Sequence, residues 1–383
     1  MISQAIRAAA LIAIAIRTMP AQQAQQAQQA QQAQQAQQAP DAQAPRASTV
    51  LIQPTGSSYT FGEGAAAVTV EQLAIPLAII LPFHRRFTVD LTAAAAYTRV
   101  VANDSTRSEI FGGTDTQIRA NWQLMMDYLV LTLGINAPSG QYYVDADQAE
   151  AAGRIGNDFL FFPISSMGNG PAGTVGLAAA VQVLNVNFGV GGSIRKSMDF
   201  VATGSGTAAL HYQPADETRM RLSADRKLWI GTASVGVTFS QFGEDRFDST
   251  TYSTGNRVIT TAGWSIPIRK ASVEVGFWNL DRDEGQVLGG AAAGDNIRSL
   301  SGALNLPVKR WTFQPSIETR RWESEGTRLG ELLSYGISIL IPMGASTVLQ
   351  PRFSASSGTL YSFVDATPTD FTGWQGSLLI RRR

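Results

Sequence analysis

From about Thr49 onward, apolar residues recur at every second position, and this period limits the fold more than any other feature of the chain. In 228–240, Trp229, Ala233, Val235, Val237 and Phe239 share one parity, and Thr232, Ser234, Gly236, Thr238 and Ser240 share the other. Val186, Phe188 and Val190 alternate with Asn187, Gly189 and Gly191, while Val273, Val275 and Phe277 alternate with Ser272, Glu274 and Gly276. Leu333, Tyr335, Ile337, Ile339 and Ile341 keep the same rhythm further on. Successive side chains of a strand point to opposite faces, so each run is a strand with one apolar and one polar face.

The links between runs set the architecture. Short turns are expected at 82–86, 126–128, 184–185, 226–227, 269–270, 308–310 and 343–345. Longer polar links are expected at 100–113, 138–172, 202–214, 244–255, 281–296, 322–330 and 362–369. Short and long alternate, as in an up-and-down barrel crossing a membrane with tight periplasmic turns and long outer loops, whereas the Greek-key crossings of a sandwich mix the lengths. Fifteen clear runs lie between Val68 and Ile380, and a weaker one, Thr49–Phe61, precedes them. Parity calls for that weaker run, because 68–82 descends to a short turn and a chain arriving from the periplasm needs a rising strand first. The expected fold is therefore all-β, a transmembrane up-and-down antiparallel β-barrel of about sixteen strands over 48–383, with fourteen as the alternative.

Composition agrees with this and removes other classes. Charged residues make up 16% of the chain, against about 25% in soluble domains. Thirty basic and thirty acidic residues give a formal net charge of zero, so the positive footprint of a nucleic-acid binder is missing and no nucleic-acid partner is expected. With no cysteine, thiolate chemistry, disulfides and Cys-ligated metals are excluded, and two histidines leave little for other metals, so neither metal nor cofactor is expected. Residues 1–21 read as a signal peptide: Arg7 precedes the apolar run Ala8–Ile16, which is far shorter than the roughly 20 residues of a spanning helix. Residues 22–47 read as a low-complexity tether, since the Ala-Gln-Gln repeat with Pro40 and Pro45 follows neither helical nor strand periodicity.

Alternation also assigns an inner face. Arginine at the lipid midplane costs about 2–4 kcal/mol, so charged parities belong inside. Gln117, Arg119, Asn121 and Gln123 oppose Ile118, Ala120, Trp122 and Leu124, and Arg219, Arg221 and Asp225 oppose Met220 and Leu222. Asp90, Glu274, Glu318 and Arg320 join them, giving a lumen lining of mixed sign. Phe83, Phe87, Tyr128, Trp229 and Trp311 fall at or beside the short turns and Trp264, Trp278, Trp322 and Trp374 further along their strands, where rings would anchor at the lipid headgroups.

The stretch 113–124, Gly-Thr-Asp-Thr-Gln-Ile-Arg-Ala-Asn-Trp-Gln-Leu, is followed by 127–140, Asp-Tyr-Leu-Val-Leu-Thr-Leu-Gly-Ile-Asn-Ala-Pro-Ser-Gly. Together they resemble the D-T-x-(I/L)-R strand, turn and G-(I/L)-N-x-P-(S/T)-G strand of bacterial outer-membrane barrels similar to the phenol-degradation-associated outer-membrane family, and distantly to long-chain fatty-acid channels. The resemblance covers about a twelfth of the chain. It implies a transporter-like barrel in which Asp115 opens a strand and Gly134, Pro138 and Gly140 shape its outer end, and it supplies no binding residue. Many such barrels end in an aromatic read by the barrel-assembly machinery; this sequence ends Leu-Ile-Arg-Arg-Arg, leaving Phe371 and Trp374 as substitutes for that partner.

The functional expectation is an outer-membrane barrel, in contact with lipid, that passes or binds a small solute by diffusion, apolar solutes included. The alternatives are a closed structural or surface-binding barrel and, as a minor option, an outer-membrane hydrolase. No enzyme is expected, because His84 and His211 sit in separate links without a recognisable catalytic motif. Asp145, Asp147 and Glu150 lack the spacing of a calcium loop and read as a solvated acidic turn. The link 138–172, at 35 residues, contains a helix-permissive run at 146–152 and the apolar run Phe159, Leu160, Phe161 and Phe162. Four large apolar residues outside the membrane need burial; the expectation is that they fold inward as a constriction and offer an apolar solute a landing site, with packing on the barrel rim and neighbouring loops, in a purely stabilising role, as the alternative.

Overall fold

The computed structural model describes residues 47–64, 67–102, 107–124, 128–141, 143–203, 209–287, 290–361 and 367–383. The expected leader and nearly all of the tether lie outside the described residues. Sixteen antiparallel strands form one closed barrel. The first is built of Thr49–Ile52 and Thr55–Phe61, and the fourth of Arg107–Gly113 and Thr116–Leu124. Between and after these run Val68–His84, Phe87–Ala102, Leu129–Ala137, Ala172–Val183, Val186–Ser197, Glu217–Leu228 and Gly231–Phe242. The remainder are Arg257–Ile268, Ala271–Arg282, Asp295–Val308, Trp311–Ser324, Thr327–Met343, Thr347–Tyr361 and Pro368–Arg382.

Each strand pairs with the next along the chain, and the first closes the ring: Ser58 stands opposite Glu71 on one side and Trp374 of the last strand on the other. Pro54 interrupts this closing strand because it has no N–H to donate. The ladder still passes the break, since Gln53 N donates to the Pro76 carbonyl and Leu378 N to the Pro54 carbonyl, both at 3.0 Å.

Parity decides what the wall shows to each side. Leu73, Ile75, Leu133, Ile135, Val175, Leu177, Met220, Leu222, Tyr335 and Ile337 are exposed on the outer surface. A closed sheet that carries its large apolar residues outward is stable in hydrocarbon, where the closed ladder also leaves no backbone group unpaired. The outward aromatics include Phe83, Tyr128, Trp229, Trp264, Trp311 and Trp374. Trp278, Trp322 and Phe371 depart from the sequence expectation and point inward, Trp278 on the parity of Glu274 and Trp322 on that of Arg320; Trp322 and Phe371 are buried inside.

The turn expected at 226–227 falls instead at 229–230. Arg226 and Lys227 stay in their strand, opposite Ala233 and Thr232, because long basic side chains at a strand end can extend to water. The link 322–330, expected to be long, is the two-residue turn Glu325-Gly326, with φ of 48° and 78°. Both residues have positive φ, as tight hairpins require, and glycine takes the second position without strain. Three other links contain strands of their own. Phe200–Thr203, Leu210–Gln213, Glu244–Phe247 and Thr250–Ser253 form a four-stranded sheet over a small core of Phe200, Tyr212, Phe247 and Tyr252. Gly285–Val287 and Gly290–Ala292 form a separate hairpin. The helix-permissive run does form a helix, Ala149–Ile155, a few residues later than expected.

Sidedness is testable with single cysteines. Asp147→Cys should react with a membrane-impermeant maleimide on intact cells and Lys309→Cys should react only after the envelope is opened. Equal reaction of the two would contradict the orientation.

Candidate functional site

The long loop after Leu129–Ala137 turns back into the barrel. On the second strand Val70, Gln72 and Ala74 are buried while Leu73 and Ile75 are about half exposed, so the buried parity is the inner one. The run 159–162 packs against that inner face. Phe159 is 0% exposed, and Leu160 and Phe162 nearly as covered, in a cluster with Tyr59, Val70, Ala74, Ala96, Val100, Ile110, Leu280, Ile297, Trp322, Leu332 and Phe371. Phe159 stacks on Trp322 with ring centres 5.9 Å apart, and Phe162 meets Tyr59 edge-on at 5.4 Å. Burial of side chains of this size stabilises by about 1.5–3 kcal/mol each.

Polar groups fix the register of this plug. The Gln72 side chain closes a two-bond clamp on Ile164, its Nε2 donating to the carbonyl at 2.8 Å and its Oε1 accepting from the amide at 2.7 Å. Tyr59 donates its hydroxyl to the Leu160 carbonyl at 3.2 Å, and Arg320 donates to the Phe159 carbonyl and to Glu318. The same guanidinium lies 3.8 Å from the centre of the Phe161 ring, which also meets Trp278 edge-on at 5.1 Å. Phe161 has φ of 52°, a conformation costly for a bulky residue. That local turn sends Phe161 to Arg320 and Trp278 while its neighbours enter the apolar cluster. Asp158 pairs with Arg282 at 2.6 Å.

The base of the loop is held by the segment 113–140, whose residues carry the resemblance noted above. Strand pairing sets Gln117 opposite Asn136 and Thr116 opposite Ala137, which brings Asp115 beside the start and end of the loop. The Asp115 carboxylate accepts from Gly140 N at 3.0 Å, Asn169 N at 2.6 Å and Asn136 Nδ2 at 3.0 Å, and Asn136 also donates to the Gly170 carbonyl at 2.5 Å. Gly140 has no room for a side chain: a Cβ there would lie 2.5 Å from the Met167 carbonyl oxygen and 2.7 Å from Asp115 N. Asp115 is thus a clasp joining both ends of the loop across a break in its own strand.

The expected lining residues divide into two groups. Glu318 and Arg320 are anchors of the plug. Asp90, Gln117, Arg119, Asn121, Gln123, Arg219, Arg221, Asp225 and Glu274 carry the inner parity elsewhere. Among these, Asn121 donates to Asp90 at 2.7 Å and accepts from Thr132 at 2.9 Å, and Arg119 donates to Gln117 at 2.9 Å. Arg219 bonds Glu217 at 2.8 Å, Asn187 donates to Asp225 at 2.8 Å, and Asn305 donates to Glu274 at 2.7 Å. Of the run 159–162, Phe159, Leu160 and Phe162 are taken up by packing, and the half-buried Phe161 lies against Arg320 and Trp278.

Sequence reasoning missed Gln72, Asp158, Arg282 and the apolar inner wall of the strands around them. One signal was present. The strand Val68–His84 is apolar on both parities, which a wall between lipid and water would not be, and its inner apolar residues are the ones the plug covers. His211, read from sequence as unpartnered, lies 2.7 Å from Asp199 on the outer sheet, with both side chains about half exposed. Among the described residues, no group of three or more His, Asp or Glu converges as a metal site.

No family model matches the chain, and no curated protein matches it. Solved structures do. The translocator domain of autotransporter NalP from Neisseria meningitidis is 10% identical over 96% of this chain and 97% of its own, with a TM-score of 0.37. The CymD monoaromatic hydrocarbon channel is 10% identical over 89% of each chain, at 0.42, and an anion-selective porin from Comamonas acidovorans is 10% identical over 88% of this chain and 98% of its own, at 0.39. The closed wall, its outward apolar belt and the tight turns gathered at one end identify the molecule on their own. The protein is an outer-membrane β-barrel.

Two outcomes follow for the plug of this outer-membrane barrel. Asp115→Ala leaves the amides of Gly140 and Asn169 without their acceptor, at about 1–3 kcal/mol for each buried donor. The variant should keep the heat-modifiable gel mobility of a folded barrel and show noisier, higher bilayer currents. The second concerns pH. Burial raises the Asp158 carboxyl above the ordinary range, with the Arg282 charge pulling the other way. Its proton is therefore bound more tightly in the docked loop: the docking gain is complete below the ordinary aspartate value of about 3.9 and is lost as pH rises through the raised value. Acidifying the outer chamber from pH 7 to 4 should hold or lower the conductance, and an increase at pH 4 would contradict the assignment.

Proposed function

We propose that the protein is a diffusion channel for small solutes whose route is an off-centre passage, narrowed by the loop 138–171. The observation that carries this is an asymmetry of the inner wall. The apolar cluster that seats the plug takes no residue from the five adjoining strands between Leu129 and Phe242. On one of them, Ala178, Ala180 and Gln182 point inward yet are exposed, whereas inward Val70 and Ala74 across the plug are buried. Side chains that face the lumen and remain accessible line a space water can enter.

Passage of this kind needs pore size and lining and no catalytic group, and catalysis is not part of the reading. The Asp199–His211 pair lies at the outer sheet, which the loop meets through Val144 N to the Ala202 carbonyl at 3.2 Å and Met198 N to the Pro171 carbonyl at 2.9 Å. The likeness of 113–140 to phenol-degradation-associated barrels rests on residues that build the clasp. It supports a shared way of holding a loop, and the solute is argued below from the lining instead. The breadth of the plug, which touches strands on most of the circumference, favours a closed structural barrel as the second reading.

Recording refolded protein in planar bilayers separates the two. Discrete current steps are expected, and deletion of 158–166 should raise them severalfold with gel mobility retained. Silence from a folded barrel would favour the closed reading; unchanged steps in the folded deletion variant would remove the loop as the constriction.

A further inference from the structure

The strand register orders the passage wall in a way the lining list alone does not show. Arg119, Gly134, Thr174, Arg195 and Glu217 lie in one row across five neighbouring strands. The next row runs Asn121, Thr132, Gly176, Ser193 and Arg219, and the third ends in Gly191 and Arg221. Rows two residues apart are separated by roughly 7 Å along the strands, so Arg219 and Arg221 stand one above the other and Arg195 lies diagonally beside Arg219. Between the arginines the wall is small. Arg119 uses that space: its Cγ would be 3.5 Å from a Cβ placed on Gly134, so the side chain lies over the glycine, toward Thr174 and Arg195.

The acids do not neutralise this wall. Glu217 pairs with Arg219 at 2.8 Å. Among the described residues, none of Arg119, Arg195 and Arg221 has a carboxylate oxygen within 4.0 Å. Asp90 is the register neighbour of Arg119 but is bonded by Asn121, and Arg119 donates to Gln117. The other inward acids near the plug, Asp158, Asp295 and Glu318, are held in ion pairs with Arg282 and Arg320. At the plug Asp158, Asp295 and Glu318 sit in ion pairs, while on the open side Arg119, Arg195 and Arg221 have no acid in salt-bridge contact among the described residues and the inward Asp225 is bonded by Asn187 instead.

We infer that the passage is selective for anions, and that its solutes are small carboxylates. This rests on the passage proposed above. Guanidinium groups outside salt-bridge contact with an acid, standing in a narrow passage where they outnumber the carboxylates beside them, concentrate anions and repel cations. The planar fork of arginine matches a carboxylate in two parallel hydrogen bonds, and successive groups in adjoining rows offer a solute a next partner before the last is released. Small residues between them leave room for the solute's carbon skeleton.

The test is a reversal potential under a tenfold KCl gradient, together with liposome swelling in sodium succinate and in 1,4-diaminobutane chloride. The natural chain should show chloride permeating severalfold better than potassium and faster swelling in succinate. Arg119→Gln with Arg195→Gln and Arg221→Gln should bring the permeability ratio to about one. Ser193→Asp, which keeps every arginine and places an acid in the middle row, should move the ratio in the same direction, so the inference stays exposed if the triple variant does not fold. Cation preference in the natural chain, or a ratio untouched by Ser193→Asp in a conducting barrel, would overturn the inference while leaving the channel intact. Absence of any current would overturn the channel itself.

Discussion

Hydrocarbon offers no hydrogen-bond partner, so every backbone N–H and C=O of a strand in the membrane must be met by another strand. The rest of the molecule depends on that requirement. It forces the ring to close between Thr55–Phe61 and Pro368–Arg382, and it fixes the register of every strand between them. Once the register is fixed, parity is no longer free: a one-residue slip would carry Arg219 and Arg221 into lipid and Met220 and Leu222 into water. The chain resolves the awkward Pro54 by breaking the closing strand while letting its carbonyl and the Gln53 amide keep their partners on either side.

A ring of sixteen strands encloses more space than its own side chains fill, and the loop 138–171 occupies part of it unevenly. Its apolar run and its anchors Gln72, Arg282 and Arg320 hold it off the remaining wall, because none of the apolar residues it packs on comes from the strands between Leu129 and Phe242. Asp115 sets where the loop leaves and rejoins the wall. The strands opposite carry glycine, alanine, serine and threonine on their inner face, with arginine at intervals. The same wall therefore has one side where the plug packs and its acids sit in ion pairs, and another where, among the described residues, Arg119, Arg195 and Arg221 have no acid in salt-bridge contact.

Much of this was legible in the residue order, and what was not had a physical reason. The period of two at Val235, Val237 and Phe239 gives the strand, its lipid face and, by opposition, the inner face, since charge burial in lipid is costly enough to fix the choice. Parity had been used for arginines and glutamates but not for aromatics. Trp278 and Trp322 were therefore expected at the headgroups although they share the inner parity of Glu274 and Arg320. The position of Arg320 was readable, but its task was not, because its bond to the Phe159 carbonyl spans 161 residues. Gln72 lay within an apolar run and gave no pattern of its own. The outer sheet around Tyr212 and Phe247 is built from four-residue strands in polar links, too short to show a period.

The plug draws its contacts from far along the chain. Asp158 meets Arg282, 124 residues later, and Phe159 meets Trp322 and, on the final strand, Phe371. The loop is therefore synthesised well before the strands that complete the surface it packs on, and its full docking has to wait for them. Until the closing strands arrive, Phe159, Leu160 and Phe162 face an open groove as unburied apolar surface, the kind of feature that recruits holding chaperones and proteases. Full seating of the loop thus requires the closed ring, because part of the surface it covers is contributed by the last strand.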